Sequence, residues 1–179
     1  MTFSELRTQY PKFIFHGMDV QYNDGALCFS YHFEIPGLYS FQPAWKIRCP
    51  EPKNLKEPAL QRLLFSLGMA ELVSYWKITC SPVVSLPYVL TDGQKQWWKK
   101  LYFGGLGEFF YRNQFITDEE SFMEMECTDA VLPDTAAQKP LSGKLIPIGG
   151  GKDSIVTLNL LKDQSEMIKV LIPLEILIT

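Results

Sequence analysis

The stretch that most narrows the possible folds lies late in the chain. Lys144-Leu145-Ile146-Pro147-Ile148 is a short apolar run with strand character, and Gly149-Gly150-Gly151-Lys152-Asp153-Ser154 follows at once. Ile155-Val156-Thr157-Leu158-Asn159-Leu160-Leu161 then carries the apolar face of a helix. Strand, glycine turn and helix in that order present backbone N–H groups and a helix N-terminus to an anion. Glycine is needed in the turn because any Cβ would hold a phosphate off the backbone. Ser154 adds a hydroxyl donor and Lys152 a point charge. Asp153 would repel phosphate directly, so its expected task is to hold a Mg²⁺ bridged to the phosphates, or to pin the loop. A purely structural glycine turn stays open as the alternative.

Two commoner nucleotide patterns do not fit. Walker A requires Ser or Thr straight after the lysine, and here Asp153 intervenes. The Rossmann fingerprint requires a third glycine three positions after the second. Counted from Gly149 and Gly151, that position is Ser154. A second glycine cluster, Gly104-Gly105-Leu106-Gly107, does not form that fingerprint either and predicts a helix break or hinge.

The rest of the chain bounds the setting. Its 179 residues suit one large domain or two small ones, and 46% hydrophobic content excludes wholesale disorder. With 17 basic against 20 acidic residues the net charge is −3, which speaks against a nucleic-acid or anionic-membrane partner. Cys28, Cys49, Cys80 and Cys127 make no CxxC pair, and His16 and His32 are far from three of them, so no zinc cluster is expected. Such scattered cysteines suit buried thiols in a reducing compartment. No basic n-region with an apolar h-region opens the chain, and the apolar tail from Met167 is too short to span a bilayer. A soluble, cytoplasmic protein is the expectation.

Residues 12–50 predict β-structure. Val20-Gln21-Tyr22, Asn23-Asp24-Gly25 and Ala26 to Ile35 read as a hairpin, with Asp-Gly supplying the positive φ of a tight turn. Leu27, Phe29, Tyr31 and Phe33 alternate with Cys28, Ser30, His32 and Glu34, a half-buried strand that puts His32 on the wet face. Ser40 to Ile47 predicts one further strand. A Pro/Lys/Glu-rich linker at 50–58 leads to a helix over Ala59–Lys77, with Pro58 in its first turn. Leu60, Leu63, Leu64 and Leu67 follow the i, i+3, i+4, i+7 rule and predict its core stripe, which Glu71 continues. Thr91 and Gln94 predict a capping box before a helix through Trp97-Trp98. Phe122 to Cys127 predicts a short strand with Met123, Met125 and Cys127 on one side, and loop-like residues to Gly143 mark a domain boundary.

The glycine run resembles the pyrophosphate loop of the PP-loop ATP pyrophosphatases, written SGGxDS. Gly149 replaces the leading serine, while Gly150, Gly151, Asp153 and Ser154 match. Most of the chain is also similar to the UDP-N-acetylmuramoyl-L-alanyl-L-glutamate epimerase family. The similarity runs through Leu67-Gly68-Met69-Ala70-Glu71-Leu72-Val73-Ser74-Tyr75-Trp76-Lys77, Thr79-Cys80-Ser81-Pro82, and Gly105-Leu106-Gly107-Glu108-Phe109-Phe110-Tyr111.

That resemblance implies an ATP- and Mg²⁺-dependent isomerase of peptidoglycan precursor synthesis. It would invert the terminal L-glutamate of a UDP-N-acetylmuramoyl dipeptide through an acyl-adenylate, releasing AMP and pyrophosphate. It implies a cofactor-binding set of Gly149, Gly150, Gly151, Lys152, Asp153 and Ser154, with Asp153 on the metal. Glu71, Cys80 and Glu108 are candidates for the acid and base because they lie in the family-like segments.

The expected architecture is an α+β domain of hairpins and helices over 1–135. The start of a doubly wound, parallel-sheet PP-loop unit follows over 144–179. One helix and one strand after Ser154 make an incomplete ATP domain. The apolar segment from Ile168 to Thr179 is therefore expected to fold back or to self-associate. Another PP-loop activity (tRNA thiolation or amide formation) and a truncated, inactive binding module are the alternatives.

Overall fold

A computed structural model describes residues 2–133, 144–149, 151–163 and 168–171. Contacts divide the chain into two compact units, Met1–Asp134 and Thr135–Ile178.

The first unit opens with α1 (Phe3–Gln9), started by a capping box in which the Thr2 hydroxyl accepts from the Glu5 N–H and the Glu5 carboxylate accepts from the Thr2 N–H. β1 (Lys12–Asn23) and β2 (Ala26–Ile35) form the hairpin that the sequence predicts. Asp24 and Gly25 at its tip both take positive φ, 52° and 74°. Leu27, Phe29, Tyr31 and Phe33 are buried, while Cys28, Ser30, His32 and Glu34 are half-buried on the opposite face. The single strand expected over 40–47 is two, β3 (Tyr39–Phe41) and β4 (Ala44–Arg48), both antiparallel to β2. Pro43 divides them because it has no N–H for a ladder; its carbonyl accepts the Tyr31 N–H at 3.0 Å.

Helix α2 (Pro58–Trp76) begins with Pro58 in its first turn. Its core face differs from the expected stripe. Leu63 is 66% exposed, and Leu60 and Leu67 are partly buried. The buried residues are Leu64, Phe65, Gly68, Met69, Leu72 and Trp76. This helix is apolar on most sides, so periodicity alone fits several overlapping stripes. Close packing selects the one that contains Gly68. A Cβ there would stand 2.8 Å from both the Phe15 and Tyr31 rings.

The chain turns back through Cys80, at φ 51°, into β5 (Val83–Leu86). Helices α3 (Asp92–Gly105) and α4 (Gly107–Arg112) lead to β6 (Glu124–Cys127). The Thr91/Gln94 capping box forms at the start of α3, and the two helices divide at Leu106 inside the glycine cluster. β5 is parallel to β1, and β6 is parallel to β5. The sheet is therefore mixed rather than built of hairpins alone, in the order β3-β2-β1-β5-β6 with β4 also on β2. Parallel neighbours need long crossovers, which α2 and the α3–α4 pair supply.

The core joins Phe13, Phe15, Tyr31 and Phe33 of the hairpin to Met69, Leu72 and Trp76 of α2. Its polar tips are satisfied. Tyr31 donates to the Leu64 carbonyl at 2.8 Å, Tyr102 to the Met69 carbonyl at 2.6 Å, and the Trp76 indole to the Ser81 carbonyl at 2.8 Å.

The second unit contains β7 (Lys144–Pro147), α5 (Lys152–Leu161) and β8 (Ile168–Leu171). β7 and β8 are parallel, in register from Lys144↔Ile168 to Pro147↔Leu171. Gly150 and the tail 172–179 lie outside the described residues. No described helix is long and apolar enough to cross a membrane.

Candidate functional site

Helix α5 starts inside the glycine motif, at Lys152. Gly151 is its N-cap in extended conformation, φ −81° and ψ 162°. Gly151 brings no side-chain oxygen, so the helix has no side-chain cap. Its first-turn N–H groups are the donors that an anion takes at a helix start. No atom lies within 4 Å of where a Cβ would stand at Gly149 or Gly151. The turn opens on a depression of about 530 Å³ lined by Ile146, Pro147, Gly149, Asp153, Ser154 and Thr157 among others.

Lys152 is exposed at the start of α5, Asp153 is exposed at this opening, and Ser154 is half-buried. The Ser154 hydroxyl donates to the Gly151 carbonyl at 2.8 Å, bracing the turn. The Thr157 hydroxyl donates to the Asp153 carbonyl at 2.8 Å, one turn further on. Asp153 sits in the first turn, where a carboxylate is favoured by the helix dipole. These residues fit a polyphosphate: uncapped N–H donors, open space over two glycines, an exposed lysine and an exposed carboxylate. Among the described residues no group of three or more His, Cys, Asp or Glu could hold a metal ion. Asp153 is the residue of this turn that would hold a Mg²⁺ bound with the phosphates.

The three acid–base candidates lie in different surroundings and share no partner among the described residues. Glu71 is half-buried on α2; burial holds its carboxyl above the ordinary range, and a hydrogen bond with Tyr75 works against that. Tyr75 in turn packs on Phe33 and Phe41, with ring centroids at 5.3 and 4.9 Å. Cys80 is fully buried, and burial pushes its thiol up to about 12 despite the nearby Arg7 charge. It is therefore a protonated thiol at neutral pH rather than a thiolate nucleophile. Arg7 donates to the Cys80 and Phe122 carbonyls, tying α1 to the chain after α2. Glu108 is exposed on α4 and pairs with Arg112 at 3.1 Å.

One constellation lies outside that candidate set. His16 Nε2 is 2.5 Å from Glu34 Oε2, and His32 Nε2 is 2.6 Å from Asp19 Oδ2. Both pairs sit on the outer face of the β1–β2 hairpin. The signal for them in the sequence is a slip in alternation at Gly17: Phe13 and Phe15 on odd positions, then Met18, Val20 and Tyr22 on even ones.

Residues 4–174 match the family described as the MurL N-terminal domain. The chain is 30% identical over 156 residues to a Salinispora tropica protein named UDP-N-acetyl-alpha-D-muramoyl-L-alanyl-L-glutamate epimerase. That match covers 84% of this chain and 33% of the relative. A Micromonospora protein of the same name is 30% identical over 157 residues, covering 84% of this chain and 34% of its own length. The chain thus spans about a third of the length of the curated relatives it matches. No solved structure matches it.

Proposed function

The chain belongs to the MurL N-terminal domain family, and from that premise we propose that it takes part in ATP-dependent epimerisation of the terminal L-glutamate of UDP-N-acetylmuramoyl-L-alanyl-L-glutamate. The observation that carries the reading is the β7–α5 turn, with its uncapped helix start, open glycines and exposed Lys152 and Asp153. The names of the relatives supply the reaction and the substrate.

The chemistry suits such a turn. A carboxylate resists loss of its α-proton, because a second negative charge would build beside the first. Adenylation removes that charge, so the α-proton becomes acidic enough for a side-chain base, and an acid can return it on the other face. In this chain the N–H groups of the first turn of α5 and the Lys152 ammonium would hold the phosphates. Asp153 would carry the Mg²⁺, and Gly149 to Ser154 as a whole would form the cradle. Mg²⁺ would supply charge neutralisation on the phosphate oxygens. Glu71, with its carboxyl raised by burial, suits a general acid better than Glu108, which is exposed and ion-paired.

A second reading is a binding module without turnover. Incubation with Mg²⁺-ATP, with and without the muramoyl dipeptide, separates the two. Substrate-dependent AMP and pyrophosphate together with D-glutamate in the hydrolysate establish the epimerase. ATP binding without AMP release establishes the module. A chain that does neither, while a full-length relative turns over in the same assay, rejects the proposal for these 179 residues.

A further inference from the structure

A groove of about 320 Å³ in the first unit is lined by the first half of α2, the start of α3 and the segment after β6. Its walls are held in place. Phe65 is stacked on Phe15 at 5.8 Å and meets the edge of Tyr88 at 5.2 Å, and Trp98 leans on Tyr102 at 5.5 Å. Arg62 donates from Nε to the Pro133 carbonyl at 2.9 Å and from Nη2 to the Leu132 carbonyl at 2.8 Å, which ties the segment after β6 to α2. Walls fixed by ring packing and hydrogen bonds make a preformed groove, which spares a ligand the cost of ordering it.

The polar lining is rich in donors. Gln94 Oε1 accepts the Thr91 N–H at 2.9 Å in the capping box, so the carboxamide is oriented with Nε2 as its remaining donor. No described residue accepts from Gln94 Nε2, from Trp98 Nε1 or from the Ser66 and Thr91 hydroxyls. No described Asp or Glu lines the groove, whereas the depression beside α3 is lined by Asp92, Glu119 and Glu120.

Aromatic walls with donors and hydroxyls between them suit a flat ring that carries carbonyl oxygens on its edge. Uracil has that form. O2 and O4 only accept, N3–H is its one ring donor, and a hydroxyl oxygen can take that proton. Aromatic side chains stack on the faces of such rings. The names of the relatives place a uridine diphosphate on the substrate.

We infer that this groove binds the uridine end of a UDP-linked substrate, with Trp98 and Phe65 as ring contacts and Gln94 as donor to a uracil carbonyl. The choice of ligand rests on the epimerase reading above. The described lining of the groove lies wholly in the first unit. Uridine is remote from the glutamate that reacts, so its contacts supply binding energy and no step of the chemistry.

The test titrates UDP into the 179-residue chain while ¹H–¹⁵N NMR follows the Trp98 indole and Gln94 carboxamide signals. UDP is expected to shift both, saturably. CDP is expected to bind ~10-fold more weakly, because its amino group puts a donor where uracil O4 accepts. Gln94→Glu keeps an oxygen to cap α3 and removes the donor, so UDP affinity is expected to fall ~10-fold with no drop in melting temperature. Gln96→Glu adds the same charge outside the groove and is expected to leave UDP affinity unchanged. Silent Trp98 and Gln94 signals at excess UDP, equal affinity for CDP, or undiminished UDP affinity in Gln94→Glu overturns the groove as a uridine site. So does Mg²⁺-ATP shifting these two signals in place of UDP. Substrate-dependent AMP release from a chain whose groove stays silent overturns the inference alone. UDP binding in the groove of a chain whose Gly149, Gly151 and Ser154 amides ignore Mg²⁺-ATP overturns the proposed function alone.

Discussion

The two units treat their apolar side chains in opposite ways. In Met1–Asp134, Trp76, Tyr31, Phe13, Phe15, Phe33 and Phe122 are each less than 2% exposed. In Thr135–Ile178, Ile155, Val156 and Leu160 of α5 are 61%, 54% and 76% exposed, and Ile146 is the one buried hydrophobic side chain among the described residues. The first unit closes a core between one face of a sheet and its helices. The described residues of the second form one parallel pair with one helix, and a parallel sheet is stable when helices cover both faces. The proposed phosphate turn therefore lies in the unit whose described side chains are mostly exposed.

That contrast is open to direct tests. The largest effect is expected from Trp76→Ala, which opens a cavity in the first core and removes the indole bond to Ser81. A loss of about 3–5 kcal/mol in urea unfolding is the expected outcome. A loss below about 1 kcal/mol would break the picture of a closed core. Gly68→Val comes next, because its side chain would press on the Phe15 and Tyr31 rings. Overpacking of this kind costs about 1–3 kcal/mol, and an unchanged unfolding midpoint would mean that α2 does not sit this close to the sheet.

Glu71→Gln probes the edge of the same core through pH. Burial holds the Glu71 carboxyl above the ordinary carboxylate range. The folded chain then keeps a proton that the unfolded chain has released, so stability falls as pH rises from the ordinary range through the raised one. Glu71→Gln is expected to melt higher than the wild type near neutral pH and equally at a pH below both values. A melting difference that does not vary with pH would remove burial as the cause. The smallest effect is expected in the second unit, where Leu160→Ala on the exposed side of α5 should stay within about 0.5 kcal/mol. A larger loss would show that this face is covered in solution, and would bring the two units closer in kind.

Much of the local structure was legible from residue chemistry. Asp24-Gly25 announced the hairpin tip, Pro58 the start of α2, and Thr91 with Gln94 the cap of α3. Helix α1 was not predicted, although Thr2 and Glu5 form a capping box at its start. The phosphate-turn candidate was legible too, because strand, glycines and helix are contiguous from Lys144 to Leu161. The bracing of Gly151 by Ser154 was not, since a hydroxyl three residues into a turn can serve either a ligand or its own backbone. The histidine pairs were legible only in part: the slip in alternation at Gly17 marks a bulge, but not which carboxylate each ring meets. His16 and Glu34 are 18 positions apart, Asp19 and His32 are 13, and a bulge decides which way each points.

By itself the sequence determined the elements whose cause lies within a few residues: tight turns, helix starts, the half-buried β2 and the glycine turn before α5. Their physical origin is local, in φ preferences, caps and side-chain alternation. Tertiary structure alone decided which face of α2 is core, because an almost all-apolar helix satisfies several stripes and only the close approach at Gly68 selects one. It also decided that β5 and β6 join β1 in parallel, since four-residue strands carry too little pattern to name their partners. It likewise decided which carboxylate each histidine meets, since Glu34 and Asp19 lie 18 and 13 positions from His16 and His32.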